Sequence, residues 1–293
     1  MQLKKTVSER CASAILISGS ARSGTTIMGK VLHSFQSVEY TFEPPTLFSL
    51  FSLLPRLDEV EWKLLYETYL YEDFFVNAIA GRNLNLNRND DSCVYNAKAE
   101  AEVDARYEGS LRKAEINKQS QRGVIAFKLP DIVPFLPQFL DYYPETRLLF
   151  MRRNPVDTLN SLLKKGWFSD RSLNEENRIW PFHQHADQAI PYWVAPEDYE
   201  RWVQWSELDR CAYYYTRVHA LPPNARSIFV LDYDQLLADP LGRVEALAQH
   251  FGLRFGPKTR TIIDSIQKTK IERDHTILGK VHYRIREKIE ALV

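Results

Sequence analysis

The sequence predicts an α/β fold, a parallel sheet flanked by helices on both faces. Short apolar runs alternate with stretches of helical periodicity, which implies right-handed crossovers between parallel strands. The first run, Ala14-Ile15-Leu16-Ile17, leads into a glycine-rich turn that opens a helix. Hydrophobic residues make up 44% of the 293 positions, enough core for one large domain or at most two small ones.

The strands expected are Ala14–Ser18, Val38–Phe42, Val124–Phe127, Arg147–Met151 and Ser227–Leu231. The first is apolar almost throughout, as a strand buried on both faces must be. The helices expected between them are Thr25–Phe35, Asp131–Tyr142, Pro155–Lys165 and Leu241–Phe251, and Pro155 suits the first turn of its helix. Ligands of such sheets collect beyond the carboxyl ends of the strands. Two stretches depart from the alternation. Asp58–Gly81 and Ala97–Gln121 read as longer helices joined by the loop Asn83-Leu84-Asn85-Leu86-Asn87, and Trp167–Trp205 is polar yet crowded with aromatic rings. The expectation is a single domain over residues 1–293, with a helical insertion at about 56–122 and an aromatic-rich one at about 166–205.

Lys plus Arg and Asp plus Glu stand at 38 each, so no net field draws the chain to nucleic acid or an anionic membrane. Any anion site must be local. Cys11, Cys93 and Cys211 show neither a disulfide framework nor zinc spacing, which favours a reducing, cytoplasmic setting. The apolar stretch near the start is too short for a signal-peptide core, and no segment has the length of a transmembrane helix.

Gly19-Ser20-Ala21-Arg22-Ser23-Gly24-Thr25-Thr26 follows a strand and opens a helix, the outline of a P-loop. Its glycines let successive N–H groups turn inward, and the helix start adds free amides and a positive dipole end. A P-loop nucleotidase needs Gly-Lys-[Ser/Thr], the lysine for the outer phosphates and the hydroxyl for magnesium. Here Thr25 stands at the lysine position and the cation is Arg22, inside the loop. Arg153 repeats the logic at the end of the fourth strand, and Ser161 follows two turns into the next helix. An arginine there can fork a phosphate, cap the sheet edge or pair with Asp157. Two anion sites on one face suit a nucleotide phosphorylated at two places.

With those residues in view, "SGSARSGTT", "LLFMRRNPVDTLNSL" and the late "IFVLDYDQLLADPLGRVEALAQHFGL" together resemble the sulfotransferases that use 3′-phosphoadenosine-5′-phosphosulfate (PAPS). The likeness spans about Ala14 to Leu253, and the arginine-bearing loop is most similar to the tyrosylprotein and carbohydrate branch. The resemblance implies the sulfotransferase fold, PAPS as co-substrate and no required metal. It implies a 5′-phosphosulfate site at Arg22, Ser23, Gly24, Thr25 and Thr26, and a 3′-phosphate site at Arg153 and Ser161. It makes Glu43 the base and gives Arg22 the charge that builds on the leaving oxygen. It puts Lys128 on the active-site floor, and Lys268 and Lys270 where a loop closes over the 3′-phosphate. Other readings stay open. Glu43 can instead pair with an arginine or cap the helix that starts at Pro44-Pro45, His33 is a rival base, Lys128 can be a surface residue, and Lys268 and Lys270 a solvated charge run.

Tryptophan and tyrosine faces stack on sugar rings, so the aromatic insertion suits a small-molecule or glycan acceptor. The same rings can instead staple the insertion to the core. The "HQH" at His183–His185 invites a metal reading, but no partner stands at ligand spacing. The other functions compatible with the loop are a kinase or nucleotidase of the P-loop class and a non-catalytic nucleotide sensor.

Overall fold

The structure, a computed structural model, describes residues 2–90, 92–175, 180–266 and 273–292. Five strands form a parallel sheet: β1 (Ile15–Gly19), β2 (Val38–Phe42), β3 (Val124–Lys128), β4 (Arg147–Arg152) and β7 (Ser227–Asp232). Their order is β2-β3-β1-β4-β7. The parallel α/β fold expected from the alternation is thus the fold observed, with each strand within a residue or two of its expected bounds.

β1 lies at the centre because it is apolar on both sides. Every residue from Ile15 to Gly19 is buried. Alternate side chains part to opposite faces. Ile15 and Ile17 join Leu149, Met151 and Leu231 in one apolar cluster, and Leu16 joins Phe127, Leu148 and Phe150 in the other. Helices Thr25–Ser34 and Pro240–Phe251 cover the first face. The second carries the helical run Glu59–Ile79, Leu136–Tyr142, Pro155–Lys165 and Glu207–His219. The chain leaves β1 for the far edge at β2, returns to β3, then crosses to β4 on the other side. The order of strands reverses around β1, and the turn after β1 opens at that reversal, where doubly wound sheets hold their ligands.

The helical insertion differs from expectation in one half. Asp58–Gly81 is one continuous helical path, an α-helix (Glu59–Glu67) widened into a π-helix (Thr68–Val76), with Asp58 capping its start. Ala97–Gln121, expected as one helix, is two: Glu100–Tyr107 and Lys113–Arg122. Gly109 breaks it with φ of +66°, a left-handed stop that suits glycine. The helix named at Pro44-Pro45 runs Pro45–Leu53, and the aromatic segment contains a hairpin that was not expected, antiparallel β5 (Phe182–His185) with β6 (Gln188–Pro191). Its two-residue turn, Ala186-Asp187, has both φ angles positive, as a type I′ turn requires.

Candidate active site

The turn after β1 is shaped by close approach. Gly19 has φ of +119°, and a Cβ there would lie 2.2 Å from the carbonyl oxygen of Met151 on β4. Gly24 has φ of +87° and packs flat on Tyr233, whose ring a Cβ would meet at 2.4 Å. Arg22 itself is left-handed, with φ of +70°. That conformation is uncommon outside glycine and concentrates at functional loops. Within the turn Ser23 Oγ donates to the Ser20 carbonyl at 2.5 Å, and Ser23 and Thr25 are buried. Ser20 Oγ is buried with no partner among the described residues.

The second arginine loop meets the first directly. Arg153 Nη1 donates to the Arg22 carbonyl oxygen at 2.6 Å, and Arg22 Nε donates to Ser161 Oγ at 3.0 Å. Arg153 lies over the Tyr233 ring at 4.9 Å, so one tyrosine touches both loops. Asp157, offered as an alternative partner of Arg153, instead accepts from Arg273 Nε at 3.1 Å, and Arg273 also reaches Asp234. Arg152, the neighbour, forks Asp232 with both bonds at 3.1 Å. Lys268 and Lys270 lie outside the described residues.

Glu43 and Lys128 form the other half of the site. Glu43 follows β2 with φ of +43°, and its Oε1 lies 2.7 Å from Lys128 Nζ. Lys128 ends β3 and is no surface lysine, being 2% exposed. Its ammonium also donates to Thr26 Oγ1 at 2.9 Å and sits over the Phe42 ring at 4.1 Å. Burial draws its pKa below the ordinary lysine value, against the opposing pull of the Glu43 carboxylate. Among the described residues Glu43 neither caps a helix nor pairs with an arginine: the helix Pro45–Leu53 starts without a side-chain cap, and Glu43 pairs with Lys128.

His33 stands elsewhere. It is buried at the far end of helix Thr25–Ser34, about eight residues or 12 Å along from the site. Its Nε2 is 4.0 Å from Glu39, which accepts from Arg106 at 2.8 Å. Burial first, then the charge of Lys98, lowers its pKa to about 3. The geometry thus separates His33 from the site and leaves Glu43 in it.

A cleft of about 370 Å³ opens beside the loops. Glu43, Ala21 and Asp131 stand at its floor; Trp167, Trp180 and Phe182 are among its walls. The aromatic segment packs partly into the core and partly along the cleft. Trp193 and Trp202 are buried and cross edge to face at 5.3 Å, stapling the segment to the core. Trp167 and Phe182 keep 37% and 53% of their surface exposed. Trp167 also faces Arg22, whose guanidinium lies 5.9 Å from its ring. His185 Nε2 pairs with Glu200 at 2.9 Å, the carboxylate partner that spacing alone did not reveal; among the described residues no three His, Cys, Asp or Glu side chains gather to hold a metal.

Sequence reasoning missed one link. Tyr214 accepts from the Ala21 N–H at 2.7 Å and donates its own proton to Asp131. It comes from helix Glu207–His219, in the run Tyr213-Tyr214-Tyr215, where only the helical phase tells which ring faces the loop. Asp131, three residues beyond β3, carried a usable signal in its place after a strand end.

The model of the sulfotransferase family matches residues 14–257. Among solved structures, the chain is similar to the sulfotransferase domain from the Synechococcus PCC 7002 olefin synthase, at 11% identity over 95% of this chain and 93% of that one, with a TM-score of 0.43. The sulfotransferase domain from the curacin biosynthetic pathway is 11% identical over 96% and 95% of the two chains, with a TM-score of 0.48. A sulfotransferase from Alicyclobacillus acidocaldarius is 18% identical over 95% and 94%, with a TM-score of 0.41. No curated protein matches the sequence. The family match alone takes in both arginine loops, the Glu43–Lys128 pair and the aromatic walls of the cleft, and by it this chain belongs to the sulfotransferase family.

Proposed function

We propose that the chain moves a sulfuryl group from PAPS to an acceptor hydroxyl of a carbohydrate or glycosylated metabolite. The observation that carries the reading is the direct contact of the two arginine loops, Arg153 on the Arg22 carbonyl at 2.6 Å and Arg22 on Ser161 at 3.0 Å. One nucleotide with phosphates at two positions can span loops that touch. The turn's free amides with Ser23, Gly24, Thr25 and Thr26 would hold the 5′-phosphosulfate, and Arg153 with Ser161 the 3′-phosphate. The orphaned Ser20 hydroxyl fits a turn built to receive oxygen-rich groups.

The chemistry then falls to residues at the cleft floor. As the acceptor oxygen forms its bond to sulfur, the bond from sulfur to the bridging oxygen breaks, and the electron pair stays with the 5′-phosphate. Glu43 takes the acceptor's proton. Charge on the departing oxygen meets Lys128 from the Glu43 side and Arg22 from the Ser161 side. With one anionic group leaving, the reading requires no metal. Both insertions belong to the same domain in this reading: the aromatic one walls the cleft, and the helical one shares an apolar cluster with the sheet. Cys11, Cys93 and Cys211 are buried and unpaired, which fits the cytoplasm, and no helix among the described residues is long and apolar enough to cross a membrane.

The test is a thermal-shift series with adenosine 3′,5′-bisphosphate, ATP with magnesium, and ADP. Stabilisation by the bisphosphate without magnesium is expected. A dependence on ATP and magnesium points to a kinase or nucleotidase instead. Glu43→Gln is expected to keep bisphosphate binding and lose sulfuryl transfer; unchanged transfer removes Glu43 as the base. A protein that binds the bisphosphate but transfers sulfate to no acceptor is a nucleotide sensor.

A further inference from the structure

The cleft carries a charge pattern that narrows its occupant. Its apolar walls come from Trp167, Trp180, Phe182 and their neighbours. The formally charged side chains among the described residues that line it are Glu43, Asp131 and Glu175, all carboxylates. Two cations stand beside that lining: Lys128 is buried under Glu43, and Arg22 donates to Ser161 and faces the Trp167 ring. Tyr192, in the wall between floor and rim, is buried, and the charges of Asp131 and Glu43 add to the burial that keeps its phenol protonated. An acceptor with a carboxylate, sulfate or phosphate would meet three carboxylates, one of them paired with Lys128, and no guanidinium or ammonium among the described residues that line the cleft.

We infer that the acceptor is an uncharged or cationic hydroxyl compound with an apolar ring-bearing face, and that Glu175, Asp131 and Glu43 together reject anionic acceptors such as acidic glycans and acidic peptides. This rests on the sulfotransferase reading for the role of the cleft, and it turns the choice of acceptor from ring stacking alone to ring stacking filtered by charge. Ring faces supply affinity for many compounds, while like-charge repulsion supplies the discrimination between them.

Matched ligands that differ only in charge test it. Phenyl glucoside, phenyl glucosaminide and phenyl glucuronide form one set; tyrosol, tyramine and hydroxyphenylacetate form a second without sugar. Binding is read from quenching of the cleft tryptophans, with and without adenosine 3′,5′-bisphosphate, so the charge preference is measured even if the nucleotide fails to bind and the underlying reading falls. In at least one set the neutral and cationic members are expected to bind about tenfold or more tightly than the anionic one, from like charges several ångströms apart at reduced dielectric. Glu175→Arg, at an exposed position, is expected to narrow that gap about fivefold, and Glu175→Gln by less. Equal or tighter binding of the anionic members overturns the inference, as does no binding by any member of either set. So does a Glu175→Arg variant that keeps the wild-type ratio.

Discussion

Gly19→Ala puts the geometry of the first turn to a quantitative trial. At φ of +119° an L side chain is strained whatever the space around it, and the new Cβ would stand 2.2 Å from the Met151 carbonyl oxygen, a backbone atom in the neighbouring central strand. Strain of this kind costs roughly 1–3 kcal/mol. The overlap adds a comparable amount, because the sheet must move by about an ångström to relieve it. Together these give about 3–5 kcal/mol, or a fall in Tm of roughly 6–10 °C for a chain of this size. Gly252→Ala is the control. Gly252 has φ of +65° but nothing within 4 Å, so it carries only the conformational penalty of about 1 kcal/mol and a Tm shift of roughly 2 °C. Both shifts are read by differential scanning calorimetry, and the stabilisation given by adenosine 3′,5′-bisphosphate is measured in parallel. The Gly19 variant is expected to lose most of that stabilisation and the Gly252 variant to keep it. Equal Tm shifts for the two, or full bisphosphate binding by Gly19→Ala, would falsify the claim that the turn is held open by its contact with β4.

Three further outcomes are expected. His33 and His219 are buried and held neutral, each with a pKa lowered to about 3; the unfolded chain binds their protons below pH 6.5, so stability falls from pH 7 to pH 5 by about 2 kcal/mol for each. Urea midpoints across that range measure it, and His33→Gln should remove about half of that slope. Arg106→Met takes the 2.8 Å partner from buried Glu39 and is expected to cost about 3–5 kcal/mol, most of it recovered by adding Glu39→Gln; no recovery in the double variant contradicts a buried-charge origin. Ser161→Ala frees the exposed Arg22 guanidinium and is expected to weaken bisphosphate binding about fivefold by calorimetry with Tm of the free protein unchanged.

The strands were legible because local pattern sets them: an apolar run buried on both faces reads the same in sequence and in space, as β1 shows. The two arginine loops were legible for the same reason, each being a strand end followed by a helix start. What sequence reasoning could not supply were pairings between distant positions. Nothing near Lys128 announces that it lies buried against Glu43 and Thr26, since that pairing exists only once β2 and β3 lie side by side. The run Ala97–Gln121 has helical residues on both sides of Gly109, and a single left-handed glycine outweighs that propensity. Helix Glu207–His219 went unremarked next to the aromatic segment, although Ser206 caps it and it covers the sheet. Its Tyr214 is the costliest omission.

That phenol has a practical consequence. Exchanging the aromatic segment between relatives as a cassette is an obvious route to new acceptors. A graft that stops near residue 205 leaves behind the ring that clasps the Ala21 amide and the Asp131 carboxylate. The incoming wall would then pack against a contact it is not matched to, and the error would appear at the Arg22 turn rather than in acceptor choice. A transplant that carries helix Glu207–His219 and Asp131 with the segment keeps the wiring whole.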